Sequence, residues 1–160
     1  MRARDIQLLL ASHIKQAGYR GIDTASIYDN EGEVGRAIAD SGVPRDQIFV
    51  QTKLWRSYVG ANPKNGKPKC VPEVGKSLRK LGLKRIDLWL MHWPGPGRHL
   101  NYPPVRKGME RPKAVIEANI AKTVPADWTA AMRLDTYRHM AQYVGKQVGA
   151  LVRSVTLSLQ

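Results

Sequence analysis

Three short apolar runs, Tyr19–Asp23, Ile48–Lys53 and Ile86–Met91, recur along the chain, each divided from the next by a segment of helical periodicity. No other feature constrains the fold as tightly. A strand, a helix and a returning strand make a βαβ unit, and its right-handed crossover makes the sheet parallel. Before the first run, Ile6, Leu9, Leu10, Ile14 and Ala17 form an apolar stripe that predicts a helix over 5–17, with Gly18 as its stop. His13 on that helix reads as a surface or core-edge residue. Asn30 is placed to cap a second helix, with Glu31 and Glu33 in its positive first turn, Val34, Ala37 and Ile38 facing inward and Gly42 past its end.

The pattern continues. Val71, Val74, Leu78 and Leu81 mark a third helix closed by Gly82, and Trp89 in the third strand reads as core. A fourth helix is expected over 128–143, with Met132, Tyr137, Met140 and Val144 as apolar contacts and Gly145 as its end. A fourth strand follows over 148–152. Two segments lack periodicity and read as loops: the basic stretch 60–69, and 94–125, which is too long for a mere connector.

The net charge of +13 over 160 residues invites a nucleic-acid or anionic-membrane partner. Its distribution argues against one, because residues 61–113 carry a net +10 while 1–60 carry +1 and 114–160 carry +2. Lys64, Lys67, Lys69, Lys76, Arg79, Lys80, Lys84 and Arg85 read as a solvated loop and helix face, since no aromatic residues are interleaved for base stacking. A polyanion-binding module is the alternative this segment leaves. The single cysteine, Cys70, has no partner for an internal disulfide and reads as an incidental thiol. No Cys/His set has metal-ligand spacing, so no metal is expected. Together with the lack of any apolar run near the roughly 18 residues of a membrane span, this points to a reduced, cytoplasmic setting. Arg2 and Arg4 resemble the start of a transit peptide, but Asp5 and the apolar stripe favour a core helix.

Asp23, Lys53 and His92 fall at the carboxyl ends of three successive strands, and Tyr28 lies on the loop just beyond Asp23. In a parallel sheet those ends line one rim, where ligands bind. A phenol with an ordinary pKa of about 10 is a poor acid near neutrality, and an adjacent ammonium lowers that value. Lys53 supplies such a charge, Asp23 holds it, and His92 is placed to orient a carbonyl oxygen. The set suits carbonyl reduction, in which hydride reaches carbon and Tyr28 protonates oxygen.

The local words carry a resemblance. Gly18-Tyr19-Arg20-Gly21-Ile22-Asp23-Thr24-Ala25 with Ile27-Tyr28, Asn30-Glu31 and Glu33-Val34-Gly35 resembles the first signature of the aldo-keto reductases. Val43-Pro44-Arg45 and Phe49-Val50-Gln51-Thr52-Lys53-Leu54-Trp55 resemble the family's lysine strand. Ser77-Leu78-Arg79-Lys80-Leu81-Gly82-Leu83, Asp87-Leu88 and Met91-His92-Trp93-Pro94 resemble the helix and histidine strand that follow.

The resemblance implies an α/β fold, a partial (β/α)8 TIM barrel holding roughly strands 2 to 5 with their helices, as one incomplete oxidoreductase domain over 1–160. It implies NADP(H) as cofactor without a Rossmann glycine loop, and small carbonyl compounds as substrates. Asp23, Tyr28, Lys53 and His92 match the catalytic positions. Asp23 and Thr24 would lie near the nicotinamide, and Trp55, His92 and Trp93 would wall the substrate pocket.

Departures from the family pattern shape the remaining expectations. Met1 opens almost on the first helix, where family members first have a hairpin and a barrel strand. Gly149–Thr156 stands where the family has a strand ending in a Ser-Asn pair, as if the frame had slipped. The last three strands and the adenosine-phosphate site are expected to be missing, NADPH binding to be weak, and two open strand edges to favour marginal stability or self-association. An inert or partner-dependent remnant is the alternative to an active reductase.

Overall fold

The computed structural model describes residues 3–93 and 129–153, so the expected long loop at 94–125 and the chain beyond Arg153 lie outside the described residues. Helices and strands alternate as α1 (Ala3–Lys15), β1 (Gly21–Asp23), α2 (Glu31–Ser41), β2 (Phe49–Leu54), α3 (Val71–Leu81), β3 (Ile86–Met91), α4 (Ala130–Ala141) and β4 (Val148–Arg153). The four strands form one parallel sheet in sequential order. Sequential order is what repeated right-handed crossovers of the same length produce.

Side chains alternate across the sheet with a period of two. Ile22, Val50, Thr52, Leu54, Trp89 and Met91 are buried on one face, in register as Ile22↔Val50, Thr52↔Trp89 and Leu54↔Met91. All of these except Thr52 join Ile14, Val34, Ile38, Val74 and Leu78 from the helices in one apolar cluster. The opposite face carries Phe49, Gln51 and Lys53 on β2, with Leu88 and Leu90 beside Gln51 and Lys53 on β3. Phe49 is 49% exposed there, so this face is open among the described residues.

The helix ends differ from the sequence expectations. α1 stops at Lys15 rather than 17, Ala17 is exposed, and Leu9 faces solvent although it lies in the apolar stripe. Val71 and Val144 are exposed too. Val71 opens α3 and Val144 follows the end of α4, where periodicity supplies a face but no neighbour. β1 begins at Gly21 rather than Tyr19, and β2 gains Leu54. Asn30 does not cap α2 with its side chain, because its Oδ1 instead accepts the Thr24 hydroxyl at 2.7 Å. α4 does have a side-chain cap, with Thr129 accepting from the Met132 N–H at 3.1 Å.

Four polar contacts tie distant elements together. Glu31, 1% exposed, accepts from the Thr52 hydroxyl at 2.8 Å beneath the sheet. Asp87 accepts both the Val50 N–H and the Arg45 guanidinium at 2.8 Å. The Gly60 N–H donates at 2.8 Å to the hydroxyl of buried Thr136, fixing α4 over the loop that follows β2.

α2 packs directly on α3 at Gly35, where a Cβ would lie 2.2 Å from the Leu81 carbonyl oxygen. α3 ends there in a left-handed Gly82, with Leu83 N–H bonding the Leu78 carbonyl at 3.0 Å. The obstacle is backbone held by this closed turn, so it has little freedom to give. Gly35→Ala is therefore expected to destabilise the chain by about 2 kcal/mol or more, measurable as a lower denaturation midpoint. An unchanged midpoint would contradict the close packing of α2 on α3.

Candidate active site

The parallel ladder runs past the formal strand ends. Thr24 N–H donates to the Gln51 carbonyl and His92 N–H to the Leu54 carbonyl, both at 3.0 Å. These bonds hold the residues just beyond β1 and β3 at the height of Lys53. A short 3-10 turn, Ser26–Tyr28, then folds back over β2, clipped by the Ser26 hydroxyl donating to the Lys53 carbonyl at 3.0 Å. The four candidate catalytic residues thus meet on one rim.

Lys53 is the hub. Its ammonium is paired with Asp23 Oδ1, donates to the Thr24 carbonyl at 3.1 Å, and lies 5.2 Å from the centroid of the Tyr28 ring. Asp23 is half-exposed while Lys53 is largely covered, so water screens the pair and it contributes at most about 1 kcal/mol to stability. Its main effect is to orient the ammonium. Thr24 is fully buried, with its hydroxyl committed to Asn30, so it faces the rim through its backbone.

Aromatic rings close the opposite side. The Tyr28 and His92 rings meet edge to face at 5.6 Å, Trp55 meets His92 in the same way at 5.2 Å, and Trp93 stacks on His92 at 6.0 Å. Trp55 is buried, whereas Tyr28 is 47% exposed and opens the rim to solvent. The His92 pKa is lowered to about 4, first by burial and then by the Lys53 ammonium, with the Asp23 carboxylate partly offsetting them and Arg56 adding a smaller lowering. The imidazole is therefore neutral near pH 7. Its Nδ1 is enclosed with no hydrogen-bond partner among the described residues, as is Trp93 Nε1.

Two rim residues escaped the sequence reading. Gln51 Nε2 donates at 2.6 Å to the same Asp23 oxygen that Lys53 holds. Arg56 is only 5% exposed and lies 4.9 Å from the Trp55 ring centroid. Gln51 carries a period-two signal, two positions before Lys53 on the same face. Nothing in the sequence marks Arg56 as buried. Cys70 is fully buried and held as a thiol, its pKa raised to about 11 chiefly by burial. Among the described residues no cluster of three metal-ligating side chains occurs, and no helix is long and apolar enough to cross a membrane.

A phenol, an ammonium anchored by a carboxylate and a neutral imidazole thus lie together at the carboxyl rim of a parallel α/β sheet. The sequence matches the aldo/keto reductase family model over residues 4–146, and the chain belongs to that family. It is 43% identical over 93 residues to a methylglyoxal reductase of Salmonella typhi, covering 58% of this chain and 33% of that one. Over 83 residues it is 55% identical to an aldehyde reductase of Saccharomyces cerevisiae, covering 51% and 23%.

Among solved structures, a Bombyx mori aldo-keto reductase in complex with NADP superposes with a TM-score of 0.68 at 28% identity, covering 96% of this chain and 41% of that one. A Brucella melitensis aldo/keto reductase gives 0.66 at 27%, covering 95% and 44%. The chain therefore spans less than half the length of these relatives. Its four parallel strands are part of a (β/α)8 barrel.

The electrostatics of the rim predict two opposite shifts in the His92 titration, followed by NMR of the ring protons. Lys53→Met should raise the pKa from about 4 toward, but short of, the ordinary 6.5, because burial remains. Asp23→Asn should lower it. Because the folded value lies below the unfolded one, the unfolded state binds the extra proton, so His92 favours folding fully above pH 6.5 and progressively less as pH falls toward 4. An unshifted titration in Lys53→Met would remove the ammonium as a cause.

Proposed function

We propose that the chain carries the carbonyl-reducing site of an NADP(H)-dependent aldo-keto reductase acting on small aldehydes or ketones. The observation that carries this reading is the convergence of Asp23, Tyr28, Lys53 and His92 around one half-open rim. The donor set suits a cofactor that delivers hydride, because each group serves the oxygen end of a carbonyl. Asp23 and Thr24 would hold the nicotinamide end, and the cofactor when bound supplies hydride to the carbonyl carbon.

The residues provide the rest. Tyr28 delivers its hydroxyl proton to the carbonyl oxygen as negative charge develops there, and the bond order lost between carbon and oxygen yields an alcohol. The Lys53 ammonium stabilises the phenolate left behind, and Asp23 keeps that ammonium in place. His92, neutral because of its burial, donates an N–H to the same oxygen and orients it without competing as the acid. Trp55 and Trp93 bracket the His92 ring and form apolar walls that exclude water. A cytoplasmic setting belongs to the same reading, supported by the single buried thiol.

A second reading, a remnant that depends on self-association, is favoured by half-exposed Phe49 on the open sheet face. It predicts elution as a dimer or larger species and a concentration-dependent thermal midpoint. A monomer with one sharp, concentration-independent transition would remove it.

The reductase reading is tested by following NADPH consumption with a reactive aldehyde in the parent and in Tyr28→Phe. Loss of the general acid should slow turnover by about a hundredfold or more, with the circular dichroism of the chain unchanged. No turnover in the parent, with NADPH fluorescence unaltered on mixing, would overturn the reading for this chain.

A further inference from the structure

The connection between β2 and α3 builds a second concave site that shares no residue with the rim. Residues 60–69 fold back on themselves, Ala61 facing Pro68 in an antiparallel bridge. Asn62 N–H donates to the Lys67 carbonyl at 2.8 Å and Lys69 N–H to the Gly60 carbonyl at 3.0 Å. At the tip, Asn62 Oδ1 accepts the Lys64 N–H at 2.9 Å and Asn65 Oδ1 the Lys67 N–H at 3.1 Å. The turn satisfies its own backbone through these Asx contacts, which makes it a defined wall.

Between this wall, Ser57 and Tyr58, and the start of α3 lies a cavity of about 620 Å3. Its size is in the range of small-molecule sites, roughly 300–1,000 Å3. Tyr58, Pro68, Val71 and Pro72 supply apolar walls, and Lys67 and Lys69 supply cations. Glu73 also lines it, but its carboxylate is paired with Lys76 at 2.6 Å. The Lys76 ammonium in turn lies 5.5 Å from the Tyr58 ring centroid. Lys67 and Lys69 have no acidic partner among the described residues.

An apolar ligand surface gains by leaving water in such a cleft, but only an anion gains from two uncompensated lysines among its lining residues. We propose that this cavity binds a small amphipathic carboxylate, its flat apolar body against Tyr58, Val71 and Pro72 and its head between Lys67 and Lys69.

The test is a titration of the full chain with naphthoate, followed by amide NMR shifts, beside the uncharged naphthalenemethanol. Saturable shifts are expected at Tyr58, Lys67, Lys69 and Val71, with the alcohol at least about tenfold weaker because it lacks the charge-assisted contacts. Lys67→Glu with Lys69→Glu should weaken naphthoate by at least the same factor. Both changes lie on the turn and leave its backbone bonds intact, and amide shifts elsewhere report that the fold is kept. Lys84→Glu, an exposed cation outside the cavity, should leave binding within about twofold. The proposal is overturned by shifts confined to Trp55 and His92 or absent altogether, by equal affinity for the alcohol, or by binding that survives the double reversal. Equal weakening in Lys84→Glu would also overturn it, since the general field of the basic face would then account for the attraction.

Discussion

The parallel register between β1 and β2 is the constraint on which the rest of the rim depends. Asp23 is the ladder partner of Gln51, and Lys53 stands two residues further along β2, beside Leu90. Because side chains alternate, a slip of one residue would turn Lys53 under the helices and bring a core residue up to the rim. Buried Ile22, Val50 and Trp89 oppose that slip, since each would lose its apolar surroundings. The chemistry of the open face is thus fixed by packing on the covered face. The bonds Thr24 to Gln51 and His92 to Leu54 carry this register into the loops that follow.

That division explains what was legible in the sequence. Strands betray themselves by apolar runs, and a charged or polar residue at the end of such a run in a parallel sheet has one place to go, so the sequence alone brings Asp23, Lys53 and His92 to one rim. Tyr28 was legible because the loop after Asp23 is too short to carry it far. The losses came where an outcome depended on a neighbour outside the element's own periodicity. Leu9 fits the stripe of α1 but meets no partner, and Asn30 fits a cap but is taken by Thr24. Glu31 signalled a helix dipole contact, and its larger role as a buried acceptor for Thr52 required knowing that α2 lies across β2.

Gln51 and Arg56 show the same limit at the site itself. A glutamine in mid-strand usually marks a solvated face, and here the face is open, yet the amide is committed to the carboxylate that anchors Lys53. An arginine following a tryptophan reads as a surface residue, and its burial against that ring depends on packing that no local pattern encodes. Spacing puts Gln51 on the face of Lys53 but does not give its partner, and it says nothing of Arg56.

The placement of Lys53 also limits which cation could serve there. An ammonium has three N–H donors around a compact charge. Asp23 and the Thr24 carbonyl occupy two of them, and the Tyr28 ring lies 5.2 Å away, so one donor and most of the field remain for the phenol side. A guanidinium would engage the Asp23 carboxylate through its planar fork and spread its charge over a larger plane. That would strengthen the anchoring pair and draw the positive charge toward half-exposed Asp23, away from Tyr28. The same movement would relax the ammonium's hold on His92, whose neutrality rests first on burial and second on this charge. One point charge between an exposed carboxylate and a half-buried imidazole thus acts on both the phenol and the imidazole of the rim.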